Sequence, residues 1–177
     1  MAILQITYAP NPIFKQVAEP VKIVDDEIKD LVELMFATAR HEGAIGLGAN
    51  MVGILKRIII IDWKQGSESF AMINPEIIER SDATQEFEES SLSYPGIAAK
   101  ITRPSKIKVS YSDLEGRECE KEVDEFLSTI VQHEIDYLNG VVFLDHLSKL
   151  KRDRLVKKMQ KHIKMHPPHV HGQGCNH

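Results

Sequence analysis

His133-Glu134-Ile135-Asp136-Tyr137 sets an imidazole, a carboxylate and a phenol within little more than one helical turn. The related pattern H-E-x-x-H points two imidazoles at one Zn²⁺ or Fe²⁺, and its Glu takes the proton of the metal-bound water. Here the second histidine is replaced by Tyr137. On a helical wheel with Ile130 at the origin, Glu134 falls near ~40°, inside the apolar arc of Leu127, Val131 and Leu138. His133 and Tyr137 flank that arc on one face. A carboxylate on a core-facing stripe is costly unless it is paired, protonated or in chemical use. The spacing therefore leaves two readings of Glu134: an acid–base group, or a buried side chain hydrogen-bonded to a neighbouring loop.

The elements around this segment follow from periodicity. Ile28, Leu31, Val32, Met35, Phe36 and Ala39 form one helical stripe, begun near Asp25 and stopped at Gly43. A Gly-rich stretch follows, with Gly43, Gly46, Gly48 and Gly53. Strands are expected at Ile58–Asp62, Phe70–Ile73, Glu76–Glu79, Lys106–Tyr111 and Arg117–Val123, the last two joined by a turn at Asp113-Leu114-Glu115-Gly116. A helix from about Asp124 to Leu138 carries His133 and Glu134 and closes at Asn139-Gly140. Val141–Leu144 reads as a short buried strand. A last helix begins near Ser148 and stops by Pro167-Pro168. Pro10, Pro12 and Pro20 make helix unfavourable in the opening stretch. This order predicts an α+β fold, mainly antiparallel strands around a buried central helix.

Three segments then point to a family. They are Ala44-Ile45-Gly46-Leu47-Gly48-Ala49-Asn50-Met51, Glu88-Glu89-Ser90-Ser91-Leu92-Ser93-Tyr94-Pro95-Gly96, and Gln132-His133-Glu134-Ile135-Asp136-Tyr137-Leu138-Asn139-Gly140. In order and spacing they resemble the G-x-G-L-A-A-x-Q, E-E-G-C-L-S-x-P-G and Q-H-E-x-D-H-L-x-G motifs of the bacterial peptide deformylases. The resemblance implies that family's fold, a single domain over residues 1–165 with a C-terminal helix, and a cleft for the N-terminus of nascent chains. It implies chemistry that removes the formyl group from N-terminal formyl-methionine. In that family one Cys and two His hold a divalent metal, and a Glu is the general base and acid. A Gln side chain and a Leu backbone N–H stabilise the oxyanion. Carried over, the base is Glu134, the backbone donor Leu92 and the first metal ligand His133, while Ile45 and Gly46 bind substrate.

The other positions depart from the pattern. The thiolate position is Ser91, the second imidazole Tyr137 and the oxyanion Gln Met51. Serine is neutral at pH 7, and tyrosine must lose a proton with a pKa near ~10 before it binds metal strongly. Methionine has no hydrogen to donate. The departures imply an impaired metal site with no cofactor expected, and little or no deformylase activity. Met51 and Tyr137 would fill the vacated volume, with the Tyr137 hydroxyl, Ser91 and His133 hydrogen-bonding Glu134. The alternative is an active deformylase that holds Fe, Zn or Ni with an unusual ligand set, or an amidase built on Glu134.

The chain has 177 residues and a formal charge of −4, ordinary for a globular chain and far from disordered or collagen-like composition. The charge is uneven. Residues 149–177 hold eight basic side chains and one acidic, against an acidic remainder. Lys149, Lys151, Arg152, Arg154, Lys157, Lys158, Lys161 and Lys164 lie on the last helix, whose place and charge resemble a ribosome-docking helix of the family. Beyond it, His162, His166, His169, His171, His177 and Cys175 suit either a weak metal tract or a flexible tail over 166–177, and the Pro and Gly content favours the tail. Only Cys119 and Cys175 are present, no secretory signal is visible, and no apolar run could span a bilayer. A cytoplasmic protein without membrane contact is expected.

Overall fold

Residues 2–63 and 66–168 are described by a computed structural model of the chain. Helix α1 (Asp26–Glu42) begins at Asp25, whose side chain accepts the Ile28 N–H at 3.0 Å. It ends at Gly43 in the left-handed region. The chain then enters β1 (Gly46–Gly48) and β2 (Ile58–Trp63). Strands β3 (Glu68–Arg80), β6 (Lys106–Ser112) and β7 (Glu118–Asp124) complete an antiparallel sheet of order β1-β2-β3-β6-β7. Strands β4 (Thr84–Ser91) and β5 (Tyr94–Pro104) pair separately as a two-stranded sheet. Helices α2 (Glu125–Leu138) and α3 (Lys149–Met165) follow. The expected α+β class holds.

The four isoleucines of β2 place the core. All are fully buried, and strand alternation sends Ile58 and Ile60 to one cluster, Ile59 and Ile61 to another. The second cluster includes Leu127, Val131, Ile135 and Leu138, so the apolar stripe of α2 lies on the sheet. Tyr137, from another face of α2, packs into the first cluster with Phe14, Tyr94 and Phe143. Helix α2 is therefore enclosed on several sides, which is why polar groups on it matter. Helix α3 rests on β5 through Met159, with Leu155, Val156 and Ile163 partly buried beside it.

Several expectations are corrected. Phe70–Ile73 and Glu76–Glu79 are one strand, β3, with a register shift between Ile73 and Glu76. There Asn74 takes φ 53°, and its amide bonds both the N–H and the carbonyl of Val21 at 2.8 Å. Val141–Leu144 is not a strand: Phe143–His146 is a 3₁₀ turn, held by Asp145 Oδ2 accepting the Val142 N–H at 2.9 Å. The Pro-rich opening contains one 3₁₀ turn, Pro12–Lys15, capped by the Asn11 side chain. Strands β4 and β5 were not expected, because charged and polar residues obscure their alternation. Of the His-rich tract, His162 and His166 are described, their rings 5.0 Å apart. His169, His171, Cys175 and His177 lie outside the described residues. Among the described residues, no helix is long and apolar enough to cross a membrane.

Gly140, just past α2, has φ 74°, and a Cβ there would sit 2.9 Å from the Lys15 carbonyl oxygen. Gly140→Ala is expected to lower stability by about 2 kcal/mol through strain and that backbone clash. Urea unfolding checks it, and an unchanged midpoint would contradict this packing of α2.

Candidate functional site

Every site residue marked in the sequence comes to one place. Ile45, Gly46, Met51, Ser91, Leu92, His133 and Glu134 line a cavity of about 250 Å³ between the Gly-rich segment, the tip of the β4–β5 hairpin and α2. Tyr137 lies fully buried on the same helix, one turn beyond His133. Two backbone ties hold the walls: Thr7 N–H donates to the Met51 carbonyl and Ala9 N–H to the Ser93 carbonyl, both at 2.8 Å.

Within the Gly-rich segment, Gly46 leaves the space that Glu134 takes. A Cβ at position 46 would lie 2.8 Å from Glu134 Oε1 and 3.0 Å from its Cγ. Burial pushes the Glu134 carboxyl up from 4.5 to about 7, and the Glu89 charge adds to this, while His133 and the Gly48 N–H pull the other way. Its Oε2 is buried with no hydrogen-bond partner. The helical wheel thus placed this side chain correctly.

His133 is held by a partner the sequence reading passed over. Its Nδ1 lies 2.8 Å from Glu89 Oε1. Arg103 binds the same carboxylate through Nε at 2.7 Å and Nη2 at 2.9 Å, and reaches Asp136 with Nη1 at 2.8 Å. His146 Nε2 closes the chain on Asp136 at 2.9 Å. Burial alone would raise the Glu89 pKa, but the hydrogen bonds from His133 and Arg103 and the Arg103 charge outweigh it and hold the group below its usual range. An ionised carboxylate only accepts, so His133 donates Nδ1–H and its Nε2 is the unprotonated nitrogen when the ring is neutral. The Glu88-Glu89 doublet carried a signal in principle: on β4, Glu88 is exposed and Glu89 buried.

The remaining positions differ from the expected hydrogen bonding. His133 turns to Glu89 rather than Glu134. The Ser91 hydroxyl accepts the Ser93 N–H at 3.2 Å. Tyr137 packs edge-on against Phe14 and Tyr94, with ring centroids 5.8 and 6.4 Å away. Burial holds its phenol well above the usual tyrosine range, and the neighbouring Ser91 hydroxyl offsets this only in part. Met51 is buried beside the cavity. Phe126, Thr129 and Ile130 also line it and were not marked in the sequence. Among the described residues, no three His, Cys, Asp or Glu side chains converge as a metal-holding group.

The family profile described as "Polypeptide deformylase" matches residues 3–153. The chain belongs to the peptide deformylase family. It is 56% identical over 175 residues to a protein of Rickettsia conorii named "Peptide deformylase-like", covering 98% of this chain and 96% of that one. It is 42% identical to the peptide deformylase of Mesorhizobium japonicum, covering 95% and 97%. The crystal structure of the Ehrlichia chaffeensis peptide deformylase in complex with actinonin superposes with a TM-score of 0.86 at 36% identity, covering 95% of this chain and all of that one. Fold and family, both expected from the motifs, are therefore established.

The raised Glu134 pKa makes stability depend on pH. Below the ordinary value of 4.5 both states are protonated; between 4.5 and about 7 only the unfolded chain ionises; above about 7 the penalty is complete. The Glu134 contribution to stability is expected to fall by about 3 kcal/mol as pH rises from 4 to 8, opposite in sign to the contribution of depressed carboxylates such as Glu89. Glu134→Gln is expected to remove that fall, and urea unfolding across the range checks it.

Proposed function

We propose that the cleft binds the N-terminal segment of a peptide and does not hydrolyse formyl amides. The observation that carries this reading is a cavity of about 250 Å³ lined by Ser91 and His133, with Tyr137 fully buried one turn further along α2, at the positions where the family's metal ligands belong. One imidazole nitrogen, a neutral hydroxyl and a phenol kept protonated by burial do not fit a divalent transition metal. Met51 removes a hydrogen-bond donor from the oxyanion position, a loss worth about 3 kcal/mol in transition-state stabilisation in hydrolases. Binding needs none of these groups. Among the described residues, strand β1 pairs only with β2, so its outer edge suits an extended peptide added as a further strand. Ile45, Phe126 and Ile130 supply apolar walls.

The exposed basic side chains of α3, among them Lys149, Lys151, Arg154, Lys157, Lys158 and Lys161, support contact with a phosphate backbone such as ribosomal RNA. Such contact would bring the cleft to emerging nascent chains.

A second reading, an active metal-dependent deformylase, is favoured by relatives that bear that name and by the Glu134 carboxyl titrating at about 7, well matched to acid–base work. A formyl-Met-Ala-Ser assay with added Fe²⁺, Ni²⁺ or Zn²⁺ separates the two. No turnover above the blank is expected. Turnover abolished by Glu134→Gln would establish the enzyme instead. The combined changes Met51→Gln, Ser91→Cys and Tyr137→His are expected to add about one bound metal ion per chain over the wild type, read by elemental analysis. Comparing the two proteins cancels any metal held by the His-rich segment.

A further inference from the structure

Resting on the reading of the cleft as a peptide N-terminus site, we propose that it selects a free α-ammonium group on an apolar first residue over a formylated one. The side chains lining the cavity include three carboxylates, Glu88, Glu89 and Glu134, and no Lys or Arg. Glu89 is neutralised from behind by the bidentate Arg103. Glu88, exposed at the rim, and Glu134, on the α2 wall, have no bidentate arginine of their own.

Hydrogen-bond inventory points the same way. Glu134 Oε2 is a buried acceptor without a donor. An ammonium group brings three donors and no acceptor, and at neutral pH a peptide α-amino group is largely in that form. A formylated terminus brings one N–H and a carbonyl oxygen. That oxygen needs donors of its own: the Leu92 N–H remains, Met51 adds none, and the carboxylates repel it. With Cys, His and Gln at positions 91, 137 and 51, a metal and an amide would attract such an oxygen. With Ser, Tyr and Met both attractions are gone, and the lining offers carboxyl groups with no Lys or Arg among them.

The apolar walls then define the rest of the ligand. Ile45 and Ile130 face the cavity with Phe126, whose ring is fixed edge-on to Phe87 and Trp63 at 5.4 and 5.7 Å. An uncharged, apolar first side chain fits there. The ligand class is therefore what a deformylating hydrolase releases, not what it consumes. This chain acts after that class of reaction.

The test uses one Met-Ala-Ser-headed peptide, labelled at its C-terminus, with a free, formylated or acetylated N-terminus, and reads fluorescence anisotropy at pH 7. The free amine is expected to bind at least tenfold more tightly than either capped form. Glu134→Gln is expected to shrink the preference to within threefold. Glu88→Gln, at an exposed position that does not bear on folding, is expected to reduce it severalfold and lessen its salt dependence. Equal or tighter binding of the formylated peptide, or a preference unchanged in both variants, would overturn the proposal while leaving the cleft a peptide site. No binding of any of the three peptides would overturn the peptide-site reading itself.

Discussion

A carboxyl group buried where α2 presses on the backbone of β1 constrains most of what surrounds it. Glu134 takes space that Gly46 leaves open: a Cβ at 46 would meet its carboxylate oxygen at 2.8 Å and its Cγ at 3.0 Å. Strand β1 lies at the sheet edge, and its Gly46 lines the cavity. The cost of burying the carboxyl appears as a pKa near 7 and an oxygen with no partner. A protein that had converted this pocket into packed core would have gained stability by replacing such a residue.

The network around His133 has a different logic. Glu89, Arg103, Asp136 and His146 satisfy one another through short hydrogen bonds, and Glu89 and Arg103 are almost wholly buried. That arrangement gives the imidazole Nδ1 its hydrogen-bond partner from outside positions 91 and 137, while the Tyr137 ring packs beside it at 5.1 Å. It also ties the β4–β5 hairpin to α2, so the wall carrying Ser91 and Leu92 is held in place whatever residue stands at 91. The scaffold of the cleft and the chemistry inside it are thus separable. Identity of 56% to a "Peptide deformylase-like" protein and a TM-score of 0.86 to a peptide deformylase in complex with actinonin speak to the scaffold. The donor atoms at 51, 91 and 137 speak to the chemistry.

Much of this was legible in the residues. The stripe from Ile28 to Ala39, the capping by Asp25 and Gly43, and the four-isoleucine strand follow from local periodicity, which reports burial directly. Placement of Glu134 on the apolar arc followed from the helical repeat alone. The cleft as a whole came from motif resemblance, because residues 45, 91 and 133 are too distant in sequence for spacing to join them. Glu89 and Arg103 were missed for a related reason: a buried ion pair looks like two surface charges until topology brings β4, β5 and α2 together. The two strands of the hairpin were missed because their polar alternation carries little hydrophobic signal. Val141–Leu144 reads as a strand by composition, yet Asp145 captures the Val142 N–H and winds the chain into a turn.

The account stands on the donor atoms at positions 91, 133 and 137. X-ray data collected at the metal absorption edges, from crystals of the protein grown with excess Zn²⁺, Ni²⁺ or anaerobic Fe²⁺, address them directly. No anomalous peak is expected between Ser91, His133 and Tyr137, with the Tyr137 ring still packed on Phe14 and Tyr94. A fully occupied ion coordinated there by His133 would contradict the account and make the protein a metal-dependent hydrolase.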